Sequence, residues 1–155
     1  MASYEIVETT AQDYLYLTRR CAMKPEEIGP AMGEAIRTVW DFMQRNAIPP
    51  AGPVLAVYYD YSEDEMEFRT GFFVTPEDAA RADGPVKADK TPAVRAAHAV
   101  HTGPYPALQE TYGRVMSEME QAGHSYGKPT WEVYLNDPDT TPEAELKTEI
   151  FIALA

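Results

Sequence analysis

"GPYPALQETYGRVMSEMEQAGHSYGKPTWEVYLND", residues 103–137, runs from an amphipathic helical pattern through a turn into an aromatic strand. An earlier stretch, "GPAMGEAIRTVWDFMQRNAIPPAGPVLAVYYD" at 29–60, follows the same course. Both begin Gly-Pro, continue with helical periodicity, break at Gly or Pro, and end as a strand closing on Asp. Beyond them "FRTGFFV" (68–74) lies over "LKTEIFI" (146–152), setting Thr70 opposite Thr148 and Phe73 opposite Phe151. An extended segment stands ahead of each helix, "DYLYLTRR" (13–20) and "AVRAAHAVHT" (93–102). Each half therefore reads β-α-β-β, with pseudo-repeats over about 1–76 and 84–155. "TPEDAARADGPVKADKTP" (75–92) is the connection. Few residues are shared, so the order of elements carries the comparison.

The apolar spacing sets the faces. Ile28, Met32, Ile36, Val39 and Met43 recur every three or four residues, as do Leu108, Thr111, Val115, Met119 and Ala122. Such stripes pack on a sheet, and the methionines in them read as core. Gly123 falls where a helix C-cap is expected, and Pro49 with Pro50 is expected to stop the first helix. Strands present alternate residues to opposite sides. Trp131, Val133 and Leu135 share one side; Glu132 and Tyr134 share the other. Leu55, Val57 and Tyr59 match the Trp131 side, and Ala56 with Tyr58 match Glu132 with Tyr134. Tyr58, Tyr134, Phe73 and Phe151, with Tyr14 and Tyr16, supply more aromatics than a solvated face needs. These positions predict a concave aromatic ligand site, with Glu132 as the charge inside it.

The 155 residues suffice for one domain, residues 1–155, without disulfides. The single cysteine, Cys21, pairs with nothing internally, and no signal peptide or apolar run of membrane-spanning length is present, so a cytoplasmic location is expected. With 25 acids against 13 bases the net charge is −12. That field opposes direct nucleic-acid binding, which needs a basic face. His98 and His101 lie three apart in a strand, hence on opposite sides, and His124 sits in a turn. No metal and no cofactor are expected from them. His101 is expected to satisfy backbone groups at the helix entrance. The acids of "YSEDEMEFR" (61–69) and "NDPDTTPEAE" (136–145) read as a hairpin tip and a turn-rich loop.

"HTGPY" (101–105), "WEVYLNDP" (131–138), "LKTEIFI" and "PPAGPVLAVYYDY" in this order resemble the GyrI-like, or AraC-type effector-binding, family across nearly the whole chain. The resemblance implies an α+β fold of duplicated β-α-β-β (SHS2-type) units, with an antiparallel sheet, two helices on one face and a ligand cleft on the other. It makes the acid of W-E-x-Y, here Glu132, the central pocket carboxylate that meets cationic aromatic ligands in multidrug-sensing regulators of transcription. It places a terminal-strand aromatic, commonly Tyr, at Phe151; the proline that usually follows is absent. A helix-turn-helix segment has no room here, so a standalone effector-binding domain is expected.

The expected ligand-binding set is Glu132, Tyr134, Tyr58, Ala56, Phe73, Phe151, Tyr16 and Tyr14, holding a lipophilic, cationic small molecule. A buried carboxylate without a partner is costly and its pKa should rise, whereas a bound cation offsets that cost through charge pairing and contact with aromatic faces. Two alternatives stand behind this. Some standalone relatives resemble hydrolases of cyclopropane-containing compounds, which would make Glu132 and Tyr134 the local catalytic pair, with Tyr58 as a third member. No independent catalytic motif supports that reading, so it ranks below binding. The family also includes gyrase inhibitors, which implies gyrase or a transcription regulator as a protein partner.

Overall fold

The computed structural model describes residues 3–61 and 64–155. Ser62 and Glu63 of the expected hairpin tip lie outside the described residues. The fold is mixed α+β, and its chain divides into two compact units, Thr10–Pro92 and Ala93–Ala155, the latter joined by the residues up to Thr9.

In the first unit, strand β2 (Asp13–Ala22) leads into helix α1 (Pro25–Arg45), then the hairpin β3 (Val54–Tyr61) and β4 (Glu65–Phe73). A short helix α2 (Pro76–Ala79) and strand β5 (Lys87–Lys90) follow. All pairings are antiparallel, in the order β5-β2-β4-β3. The other unit repeats the plan with β6 (Arg95–Thr102), α3 (Leu108–Gln121), β7 (Tyr126–Tyr134) and β8 (Lys147–Leu154). Strand β1 (Glu5–Glu8) is added to β6, giving the antiparallel order β1-β6-β8-β7. The β-α-β-β order expected from the sequence is thus present twice. The unit division differs from 1–76 and 84–155 at both ends. β1 pairs with β6 through Glu5↔His98 and Val7↔Ala96, so the N-terminal strand goes with the C-terminal unit. The connection holds α2 and β5, and β5 pairs with β2 through Tyr14↔Asp89.

Each long helix packs on one face of its own strands. Ala35, Val39, Phe42 and Met43 of α1 meet Leu15 and Leu17 of β2, with Phe72 against them. Val115 and Met119 of α3 meet Ala97, Ala99, Ile150 and Ile152. Each fully buried Leu, Ile, Val or Met contributes roughly 1.5–3 kcal/mol. The Gly-Pro correspondence differs between units. Pro30 lies inside α1, which already starts at Pro25, whereas Gly103 and Pro104 precede α3 and Gly103 takes φ +130°. Pro25, at the first position of the helix, costs no hydrogen bond there, so α1 starts a turn earlier than the sequence comparison sets it. The helix α1 also stops before Pro49: the Asn46 side chain donates to the Phe42 carbonyl at 2.8 Å, and Ala47 turns the chain at φ 52°. At the end of α3 the expected Gly123 makes that turn, with φ 81°.

Candidate functional site

Glu132 lies near the C-terminal end of β7 with only 5% of its surface exposed. Its face follows from the register. Glu132 pairs with Ile150 and Tyr134 with Thr148, while Ile150 packs under α3. The carboxylate therefore points to the helix-covered face, where α3 supplies Tyr112, and not to the face away from the helices on which the sequence reading set the ligand cleft. The Tyr112 hydroxyl donates to Glu132 Oε2 at 2.5 Å, and the Tyr134 hydroxyl donates to Oε1 at 2.7 Å. Both donors are neutral. Hydrogen bonds to a charged acceptor are the strong class, roughly twice a neutral pair, so the two hydroxyls fix the carboxylate's orientation.

Tyr105, in the short 3-10 turn Tyr105–Ala107 ahead of α3, sets its ring edge-on to Tyr134, with centroids 5.6 Å apart. Burial pushes the Tyr105 phenol above its ordinary pKa, and the charges of Asp137 and Glu132 push it the same way. Asp137 belongs to the acidic loop after β7, so that loop adds negative charge beside the site. His101, buried on β6, contacts the Thr111 hydroxyl through Nδ1 at 2.7 Å and the Pro104 carbonyl through Nε2 at 3.1 Å. A carbonyl only accepts, so Nε2 carries a proton and donates to Pro104, while Nδ1 shares a hydrogen bond with the Thr111 hydroxyl. This ties the helix entrance to the sheet and positions Tyr105 and Tyr112 on either side of the chain turn.

The eight candidate residues separate by face. Glu132 and Tyr134 are together in one unit, and Phe151 of the same unit is not with them. Phe151 pairs with Trp131, stacks on it at 5.1 Å and 12°, and takes His98 on its other flank at 4.8 Å. Two residues can stack across a ladder only from the same side, so Phe151 points away from the face Glu132 occupies. His98 also bridges Glu149 at 3.1 Å and Glu5 at 3.5 Å.

In the other unit Ala56 pairs with Thr70 and Tyr58 with Phe68, on the face covered by α1. Tyr14, Tyr16 and Phe73 point to the opposite face, since Tyr14 pairs with Phe73 and Leu15 between the tyrosines packs against α1. There Tyr14 and Tyr16, but not Phe73, contact a cation absent from the expected set. The Arg69 guanidinium lies 4.6 Å from the Tyr16 ring centroid and 4.8 Å from that of Tyr59. It also donates to Asp89 at 2.6 Å and to the Tyr14 hydroxyl at 3.4 Å. Burial alone would depress the Arg69 pKa, but the bonds to Tyr14 and Asp89 outweigh it and the group sits above its ordinary value.

The sequence comparison also needs a register correction. Thr70 opposes Ala56, and Thr148 opposes Tyr134. If the two threonines correspond, Glu132 corresponds to Val54 rather than to Ala56. The slip is two residues, which keeps every side chain on its face. Either partner is apolar, so only β7 carries the carboxylate.

Sequence reasoning missed Tyr112, Tyr105, Asp137 and Arg69. Tyr112 follows Leu108 by four residues and borders the apolar stripe of α3, which was the available signal. Arg69 had none, because its cage is assembled by β2, β3, β4 and β5. Among the described residues no group of three or more His, Cys, Asp or Glu is placed to hold a metal, and no helix is long and apolar enough to cross a membrane.

The duplicated β-α-β-β scaffold, with a buried acid among tyrosines, has its counterpart in a class of small-molecule-binding domains. The chain belongs to the GyrI-like small molecule binding domain family, which matches residues 2–155. No curated protein sequence matches it significantly. Solved structures share the fold. The EcmrR C-terminal domain is 21% identical, with TM-score 0.72 and 98% of each chain covered. A hydrolase encoded by lin2189 from Listeria innocua is 14% identical, with TM-score 0.62, covering 99% of this chain and 92% of that one. SAV2435 bound to tetraphenylphosphonium is 13% identical, with TM-score 0.62, covering 98% and 93%.

Proposed function

We propose that the domain binds a lipophilic organic cation, with Glu132 as the recognition charge and Tyr134, Tyr112 and Tyr105 as its aromatic surroundings. The observation that carries this is the buried carboxylate oriented by two neutral hydroxyls. A carboxylate removed from water favours a cation that is itself weakly hydrated, and tyrosine faces add attraction to such a cation. The structure of SAV2435 with tetraphenylphosphonium supports the ligand class by likeness of fold.

The test is a titration with tetraphenylphosphonium and with neutral triphenylphosphine oxide, on the wild type and on Glu132→Gln. Gln keeps the side-chain shape and leaves each tyrosine hydroxyl a partner, so the variant should fold. We expect the phosphonium to bind 10–100-fold more weakly to the variant, about 1.4–2.7 kcal/mol, and the neutral compound to change by less than threefold. Equal phosphonium affinity before and after the change removes Glu132 as the recognition charge.

A hydrolytic reading ranks second. It draws on the same carboxylate, placed beside two potential proton donors, and on the likeness to the Listeria innocua hydrolase. Glu132-dependent turnover of a cyclopropane-containing electrophile would support it, and turnover that survives Glu132→Gln would dismiss it.

A further inference from the structure

Thr148 is fully buried, and among the described residues its hydroxyl is one of two buried side-chain oxygens with no hydrogen-bond partner. Its place in the ladder is specific. It stands directly opposite Tyr134 on β7 and opposite His101 on β6, on the helix-covered face. The next pair along that face is Glu132 with Ile150. Directly opposed residues have Cβ atoms about 5 Å apart, and diagonal neighbours about 7–8 Å. Thr148 thus shares its face of the sheet with the Tyr134 ring and the Glu132 carboxylate, as their neighbour in the ladder. Its own neighbours do not use it: His101 spends both ring nitrogens on Thr111 and Pro104, and the Tyr134 hydroxyl is directed at Glu132.

Thr70, which occupies the matching place in the other unit, shows what the fold does with such a residue when it is structural. Equally buried, it donates to the Leu55 carbonyl at 2.8 Å. Leaving a buried hydroxyl unsatisfied is unfavourable, so the difference between the two threonines calls for a role outside the fold.

We propose that Thr148 is a specificity-determining residue of the site, donating to an acceptor atom on the ligand. This rests on the cation reading and narrows it: the ligand class is an organic cation that also carries an oxygen or nitrogen acceptor beside its charged centre. A purely hydrocarbon cation fills the site but leaves Thr148 unused.

Tetraphenylphosphonium and its ortho-, meta- and para-acetylphenyl analogues test this as a matched series, on the wild type, Thr148→Val, Thr148→Ser and Glu132→Gln. At least one acetyl isomer should bind the wild type 5–20-fold more tightly than the parent. Thr148→Val should abolish that gain while changing parent affinity less than twofold, and Thr148→Ser should restore it. A hydroxyl that serves only packing, or holds a trapped water, gives no isomer-specific gain, or a gain that survives in Thr148→Val, and either result overturns the proposal. If parent binding depends on Glu132 but no isomer gains, the Thr148 inference alone falls. If Glu132→Gln leaves the parent unchanged, the cation reading falls, and this inference with it.

Discussion

Both units set a charge among tyrosines, but they do so with opposite signs, on opposite faces relative to their helices, and with different partners. Arg69 is paired with Asp89 at 2.6 Å and laid between the Tyr16 and Tyr59 rings. Its charge is answered by the Asp89 carboxylate of β5, beyond β2, and its cage joins four strands of one unit. Glu132 accepts from the hydroxyls of Tyr112 and Tyr134, which fix the orientation of its carboxylate. A charge answered by a counter-charge is a fastening. The duplicated scaffold thus sets charges of opposite sign among tyrosines in its two units, and the proposed binding is assigned to the carboxylate.

The sharpest contrast between the units is at one backbone position. Gly71 of β4 corresponds to Glu149 of β8 when Thr70 is matched to Thr148. A Cβ at Gly71 would lie 1.9 Å from the Leu15 carbonyl oxygen, a contact no side-chain adjustment relieves. Gly71→Ala should therefore cost more than about 3 kcal/mol or prevent folding, measured by urea denaturation. Glu149→Ala, at the matching position, should change stability by less than about 1 kcal/mol. Similar losses at both sites would show that the two hairpins approach their neighbours alike.

The two charges give a crossed pair. Glu132→Gln should cost the 10–100-fold in phosphonium affinity given above and little stability. Arg69→Met keeps the stem but removes the cation from both rings and from Asp89. The Arg69 side chain is 28% exposed and that of Asp89 44%, so solvent screens the pair. Loss of the ring contacts and bonds should total about 1–2 kcal/mol. Thermal denaturation reads this, and a loss below about 0.3 kcal/mol would deny Arg69 a fastening role.

Much of this arrangement was legible in the sequence. Period-two alternation placed Glu132 and Tyr134 together, and the 3.6-residue stripes found both long helices, because each of those patterns is local. β5 was not legible: "KADK" is exposed at all four positions, so no apolar alternation announces it. β1 is a strand because β6, some ninety residues later, pairs with it. Phe151 shows the limit within the site. Its aromatic character suggested the pocket, but facing is decided by the ladder, which stacks it on Trp131.

The paired threonines sharpen the comparison further, by sign. Thr70→Val removes the donor to the Leu55 carbonyl and should lower stability by about 1 kcal/mol. Thr148→Val removes a buried hydroxyl that bonds to nothing, so stability should be unchanged or higher by up to about 1 kcal/mol. Chemical denaturation of both variants without ligand decides this. A clear loss at Thr148 would mean that the hydroxyl is structural after all.

The smallest effect at neutral pH is an alkaline one. Burial holds the Tyr14 phenol above its ordinary pKa of 10.0, with the Arg69 hydrogen bond and charge opposing the rise, and burial likewise raises Tyr59. A raised folded pKa means that above pH 10 the unfolded chain gives up its proton while the folded chain keeps it. The folded state then binds more protons, so stability, fully present below pH 10, falls as pH climbs toward the folded value. One such group contributes at most about 1.4 kcal/mol per pH unit. Tyr14→Phe removes the titrating hydroxyl, so the decline in stability between about pH 10 and 11.5 should be shallower than in the wild type. At pH 7 the same variant forgoes only the 3.4 Å bond to Arg69, a contact long enough to be worth little. Parallel alkaline slopes for the two proteins would place the lability elsewhere, with Tyr105 beside Glu132 the next phenol to test.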